Sequence, residues 1–475
     1  MKMKLFLLVF CVCFIGIENG RAQSKGQCEA LNSYSFELYH RLNSKKENLF
    51  ISPVSTYYAM MMFYEGAKGK TKQEFEKVLH INSLKQAEKD YLLHLVRNRD
   101  NSANMNVFNA IWLHQPFWIN ADYKKRVGTK YATAISQADF NNSDDVACTI
   151  NNWVADKTNN RITRIVKGEN ISPQMPLLLA NAVYFKAEWA KKFKKKYTQP
   201  GIFFVNSSLQ QETPFMSQTE HLDYFENDQF QFVSKSYKNS ELIFCVLLPK
   251  KLFELESIEK QMNPHFLNEI FDNCKSEEIK LFLPKIKMKE SYRLNGALSS
   301  LGLKSAFSSN ANFKGLSSES SLWLGQVVHK TWLEIDEEKT EAAAATSTFY
   351  IRGLPRYKIV KSDHPFVFFV VNKKSRAILF MGRYAQPTSG KIITDSSTLS
   401  ENVKERKNLK ISPNLGYKNP LIFIDGKKAS PEELKNMNPD DIDGFEIVKD
   451  TEKLKKYNAL EHGGVILVRL KKEKE

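Results

Sequence analysis

Glu337-Glu338-Lys339-Thr340-Glu341-Ala342-Ala343-Ala344-Ala345-Thr346 precedes an exposed-looking run with a proline, Arg352-Gly353-Leu354-Pro355-Arg356, and two apolar strand-like runs follow. On propensity alone its alanines and glutamates favour a surface helix. Laid out as a strand, Thr340, Ala342, Ala344, Thr346 and Thr348 share one face by period-two alternation, and all are small enough to slide into a sheet that is already packed. A bulky or charged residue on that face would block insertion. The neighbouring runs favour the second reading, a hinge that feeds an exposed loop.

Five further blocks stand in a fixed order along the chain. They are Asn48-Leu49-Phe50-Ile51-Ser52-Pro53-Val54-Ser55; Asn151-Asn152-Trp153-Val154 with Lys157-Thr158-Asn159; Asn181-Ala182-Val183-Tyr184-Phe185-Lys186-Ala187-Glu188-Trp189; Asp363-His364-Pro365-Phe366-Val367-Phe368-Phe369; and Ile378-Leu379-Phe380-Met381-Gly382-Arg383. Their order and spacing resemble the serpin family from about Cys28 to Pro387. The resemblance implies a mixed α/β (α+β) fold, with helices packed around large β-sheets and an exposed reactive-centre loop.

It also implies a mechanism. In serpins a target serine or cysteine protease cuts the loop, whose N-terminal part then inserts as a new central strand and carries the acyl-enzyme with it. Residue by residue, Ser52, Ser55, Asn181 and His329 match the shutter that holds the sheet closed. Trp189, Lys285 and Glu337 match the breach where the loop begins to insert, with an ion pair expected between Lys285 and Glu337. Glu337, Lys339, Thr340 and Ala342, Ala343, Ala344, Ala345 match the hinge. Lys339 departs from the family, whose inhibitory members usually carry glycine there; glycine would ease the backbone turn as insertion begins. Counting from Glu337 places the cleaved bond after Gly353, a loop one residue shorter after Arg352, and one residue longer after Leu354. Arg352 is the chemical favourite, because its guanidinium suits an acidic specificity pocket. The expected activity is inhibition of a trypsin-like serine protease by a secreted, monomeric protein that is not itself an enzyme. The alternatives are a non-inhibitory carrier or chaperone, and an adaptor acting through the C-terminal unit.

The chain has 475 residues and a formal net charge of +16, much of it from lysine runs such as Lys191-Lys192-Phe193-Lys194-Lys195-Lys196. Such charge favours polyanions and acidic surfaces. With no regular aromatic interleaving and no nucleic-acid module, nucleic acid is not an expected partner, and each run reads first as a solvated face. The resemblance leaves room for a sulfated polysaccharide as a cofactor; no other cofactor and no metal is expected. Met1-Lys2-Met3-Lys4 followed by Leu5–Ile17 reads as a secretory signal, with Gly20 and Ala22 at cleavage-site spacing, so residues 1–22 are expected to be removed. Nothing later is long and apolar enough to form a transmembrane helix. Cys28, Cys148, Cys245 and Cys274 then remain, and three pairings are open to them. Cys245, inside the apolar run Leu242–Leu248, reads as a buried thiol.

Helices are expected early. Ser52-Pro53 supplies an N-cap and a first-turn proline for a helix ending near Gly66, and Thr71 with Glu74 forms a capping-box pattern. Leu242–Leu248, Phe366–Val371 and Ala377–Met381 read as strands buried on both faces, the last two as a hairpin. No nucleophile elbow, phosphate loop or zinc helix interrupts them. The serpin body is assigned to residues 23–387. A polar stretch, 388–417, reads as a linker. Residues 418–475 read as a compact unit: strand Leu421–Ile424, an Asp425-Gly426 turn, a helix capped by Ser430-Pro431-Glu432-Glu433, and strands Phe445–Val448 and Val465–Leu470. Pro420–Gly426, Asn438–Ile442 with Ile447–Asp450, and Gly463–Val468 resemble part of the plug domain of TonB-dependent receptors. That implies a bacterial envelope source, an envelope partner for the C-terminal unit, and a secreted or periplasmic location.

Overall fold

The computed structural model describes residues 28–43, 45–82, 84, 103–318, 322–337, 357–393, 421–436, 442–448, 457 and 465–470. The hinge residues Lys339, Thr340 and Ala342 to Ala345, the reactive-bond candidates Arg352, Gly353 and Leu354, and the leader lie outside the described residues, as does the linker from residue 394 to residue 420.

Two sheets build the body. The five-stranded sheet runs in the order Ile286–Arg293, Gln326–Ile335, Leu177–Ala187, Ala103–His114, Ala134–Ala138. Its two central strands, Gln326–Ile335 and Leu177–Ala187, are parallel, with His329 opposite Asn181. The ten-stranded sheet contains the expected hairpin, Phe366–Asn372 paired antiparallel with Ile378–Tyr384, and Leu242–Pro249 beside it. All eight residues of Leu242–Pro249 are buried, as an apolar run without alternation requires.

The strand Leu177–Ala187 shows how the sheet is enclosed. Leu177, Leu179, Val183 and Phe185 face the main core, whereas Leu178, Ala180, Ala182 and Tyr184 face a smaller cluster formed with the helix Ser143–Lys157. The helix Pro53–Gly66 lies against the main face, and every residue from Pro53 to Phe63 is buried. A helix covered on all sides needs no amphipathic stripe, so Pro53 at its start, not periodicity, marked it in the sequence.

Two capping expectations are corrected. Ser52 occupies the N-cap with extended backbone, but its hydroxyl makes no cap bond and donates instead to Leu379 O at 2.9 Å. The next helix begins at Gly69 after Lys68, so Thr71 is already inside it. Thr71 Oγ1 lies 3.0 Å from Ser305 Oγ, and Glu74 accepts from the Ser305 amide and hydroxyl, both at 2.7 Å. The pair that resembled a local cap ties two distant segments together. All four remaining cysteines are free thiols, and Cys245 is fully buried.

The C-terminal residues form a separate four-stranded sheet in the order Lys427–Ala429, Leu421–Ile424, Val465–Leu470, Ile442–Val448. Asp425 and Gly426 turn the first pair with φ of 45° and 79°. Here the capping box is present: Ser430 Oγ accepts from the Glu433 amide at 3.1 Å and Glu433 Oε2 from the Ser430 amide at 2.7 Å.

Gly382 lets the strand Leu49–Ile51 pair closely with Ile378–Tyr384; a Cβ there would meet Leu49 O and Phe368 Cζ, each at 2.5 Å. Gly382→Ala is expected to cost about 1–3 kcal/mol by overpacking, read as an earlier transition in urea unfolding. An unchanged transition would refute the close approach.

Candidate functional site

Period-two alternation puts Asn109 on the face carrying Ile111 and Leu113, Asn181 on that of Leu179 and Val183, and His329 on that of Val327 and Leu333. The register aligns them: Asn109 opposite Asn181, Asn181 opposite His329, His329 opposite Tyr292. A polar rung therefore crosses four strands on a face built mainly from core apolar residues.

Its bonds are continuous. Asn181 Nδ2 donates to Asn109 Oδ1 and to Ser55 Oγ, both at 2.6 Å, and its Oδ1 lies 2.5 Å from His329 Nδ1. The Ser52 backbone amide, which can only donate, points at His329 Nε2 from 3.1 Å. That fixes the tautomer: Nε2 accepts, and Nδ1 carries the proton given to Asn181. His329 is wholly buried, and burial lowers its pKa to about 3. Tyr292 stacks on the imidazole, and its hydroxyl accepts from the Phe50 amide at 3.2 Å. Thr331 Oγ1 donates to Phe50 O at 2.8 Å. Ser52, Ser55, Asn181 and His329 are thus one bonded cluster joining the two parallel strands to the start of the helix Pro53–Gly66.

A second cluster lies where the chain leaves Gln326–Ile335. Lys285 Nζ sits 2.8 Å from Glu337 Oε2, and Thr198 Oγ1 donates to Glu337 Oε1 at 2.5 Å. Burial would raise this carboxyl, but the hydrogen bonds from Lys285 and Thr198 outweigh it and hold Glu337 below the usual carboxylate range. Trp189 Nε1 donates to Asp336 O at 3.0 Å, and the indole stacks on Tyr237 with centroids 4.7 Å apart. Lys235, buried and paired with Glu220, places its ammonium 5.6 Å from the Trp189 ring.

Asn109, Thr198, Tyr237, Lys235 and Tyr292 were not singled out from the sequence. For Asn109 a signal existed, a polar residue on the apolar face of an alternating strand. Thr198, Tyr237 and Lys235 carry no such pattern and join the site only through the fold. No described residues form a cluster able to hold a metal, and none of the described helices is long and apolar enough to cross a membrane.

A protein-family model for serpins, serine protease inhibitors, matches residues 29–387. The chain belongs to the serpin family. An uncharacterized serpin-like protein of Thermococcus kodakarensis is 35% identical over 377 residues, covering 78% of this chain and 87% of that protein. Leukocyte elastase inhibitor of Xenopus tropicalis is 30% identical over 371 residues, covering 75% and 98%. Among solved structures, uncleaved ovalbumin matches with a TM-score of 0.69 at 26% identity, covering 76% of this chain and 99% of its own. Human thyroxine-binding globulin complexed with thyroxine matches at 0.70 and 25%, covering 77% and 100%.

Replacing His329 leaves the Ser52 amide and Asn181 Oδ1 without partners, so His329→Ala is expected to cost about 1–3 kcal/mol. The pH dependence has a definite sign. Folding holds His329 neutral down to about pH 3, whereas the unfolded imidazole takes up its proton near 6.5. Its contribution is therefore complete above about pH 6.5 and is lost as pH falls toward 3. Glu337, held below 4.5, acts in the same direction. Glu290, raised to about 7 by burial and by Glu47, opposes both. The stability difference between wild type and His329→Gln isolates the histidine; it should shrink steadily below pH 6.5, and a pH-independent difference would exclude a neutral His329.

Proposed function

We propose that this serpin is a suicide inhibitor of serine endopeptidases, which traps a trypsin-like protease that cleaves its loop after Arg352. The observation that carries the reading is the parallel pairing of Gln326–Ile335 with Leu177–Ala187, clasped by His329 and Asn181, with the loop departing at Glu337. A chain that leaves the end of Gln326–Ile335 and folds back between these strands runs antiparallel to both. It replaces one parallel pairing with two antiparallel ones, which are slightly more stable per residue. The small residues Thr340, Ala342, Ala344 and Thr346 suit that slot, and the energy released is a stored-strain switch for which serpins are the standard example.

Two subordinate parts complete the reading. The basic start and apolar stretch of residues 1–22 support secretion. The folded C-terminal unit supports a docking role toward an envelope partner; its loss should leave protease trapping intact. Lys339 favours a second reading, a cleavable but non-trapping carrier, because lysine at the hinge slows insertion relative to hydrolysis of the acyl-enzyme.

Mixing the mature protein with trypsin, and in parallel with an elastase, decides between them. The expected result is a denaturant-resistant band at the summed mass with trypsin, lost or redirected in Arg352→Ala. Clean loop cleavage with full residual protease activity would overturn the inhibitor reading. Lys339→Gly should reduce the number of loops cut per protease trapped by roughly two- to fivefold, the scale of a backbone preference of about 0.5–1 kcal/mol; titration of residual trypsin activity measures it.

A further inference from the structure

The chain continues past the last strand of the hairpin, and its next residues are held. Thr388 Oγ1 donates to Lys287 O at 3.0 Å. The Glu212 amide donates to Lys391 O at 2.9 Å, and Ile392–Ile393 pair antiparallel with Gln211 and Gln210. Gly390 permits this approach, since its φ is +123° and a Cβ would lie 1.8 Å from Glu212 O. The polar stretch expected to be linker from residue 388 is therefore part of the body for its first six residues.

These contacts straddle one corner. Lys287 belongs to the edge strand of the five-stranded sheet, and Gln210 to Glu212 to the ten-stranded sheet. The chain passes between the sheets at Pro284–Lys285–Ile286, where the Lys285 amide donates to Pro214 O at 3.1 Å and Tyr384 Oη to Lys285 O at 3.3 Å. Lys285 Nζ holds Glu337 from this corner.

We propose that residues 388–393 are a brace that positions Lys285 against Glu337 and thereby restrains loop insertion. The inference rests on the loop-insertion reading above. Thr388 and Gly390 are positioning residues: the first pins the edge strand two residues beyond Lys285, and the second lets the segment lie on the other sheet.

The test uses the full chain and a synthetic peptide copying residues 340–350, with annealing followed by native gel shift. Gly390→Val and Thr388→Val should accelerate annealing roughly two- to tenfold, the scale of one lost hydrogen bond, while Thr388→Ser keeps the wild-type rate. Lys285→Met should also accelerate it, and combining it with Gly390→Val should add little, because both act through one contact. Unaltered rates in both Gly390→Val and Thr388→Val, or full additivity with Lys285→Met, would overturn the brace. If no peptide anneals to any form on warming, the loop-insertion reading fails and the brace falls with it. Should Gly390→Val not fold, the Thr388 pair decides alone.

Discussion

The hydrogen bond between His329 and Asn181 is the constraint on which the body turns. It joins the only pairing in the five-stranded sheet that the family mechanism must open, and it does so with a group that cannot be hydrated where it sits. A strand placed between these two residues would move them about 4.8 Å further apart, so the bond cannot survive insertion. Asn181 would lose a partner inside the core and the Ser52 amide would lose its acceptor unless the incoming strand supplied replacements. Closing the sheet is thus favoured locally; if, as proposed, loop insertion is favoured globally, that separation of local from global preference is what a long-lived metastable state requires.

The two clusters divide the work by depth. The His329 rung lies in the interior, neutral, with its polar atoms paired to groups on four strands and one helix. The Glu337 cluster lies at the sheet's end, charged, with a half-exposed lysine on one side and a hydroxyl on the other. Lys285 is half-exposed but the Glu337 carboxylate is buried, so breaking this pair leaves a buried charge short of a partner; the neutral rung resists opening for a related reason, because its buried polar atoms would be left unpaired. An insertion that starts at Glu337 therefore meets a charged obstacle first and a neutral one several residues later.

Much of this was legible in the sequence, and the remainder has a physical reason for its absence. Blocks such as Asn48–Ser55 and Asn181–Trp189 combine strand-forming apolar residues with a few polar groups at set positions, so both the elements and their roles could be read by resemblance. Asn109 was readable by periodicity alone, as a carboxamide among Ile111 and Leu113. Thr198 and Lys235 were not, because a threonine after a lysine run and a lysine in a polar strand segment look like surface until tertiary structure buries their partners. Thr71 and Glu74 show the converse: the spacing of a local cap was satisfied, and the fold used both side chains on Ser305 instead.

The end of the family domain illustrates why composition is a weak guide to where a body stops. Residues 388–391 are polar and contain Gly390, the signature of a linker, yet the segment goes on to join a sheet edge through the backbone of Ile392–Ile393, with Ile392 exposed; docking of this kind needs edge carbonyls and amides and room to approach. Gly390 supplies the room, and Gln210 to Glu212, paired along one edge with Ile202 to Phe204, supply backbone groups along the other. The same property that made the segment look flexible, a residue without a Cβ at positive φ, is what lets it dock. Its consequence is geometric: the backbone of residues 388–393 meets both sheets at the corner that carries Lys285.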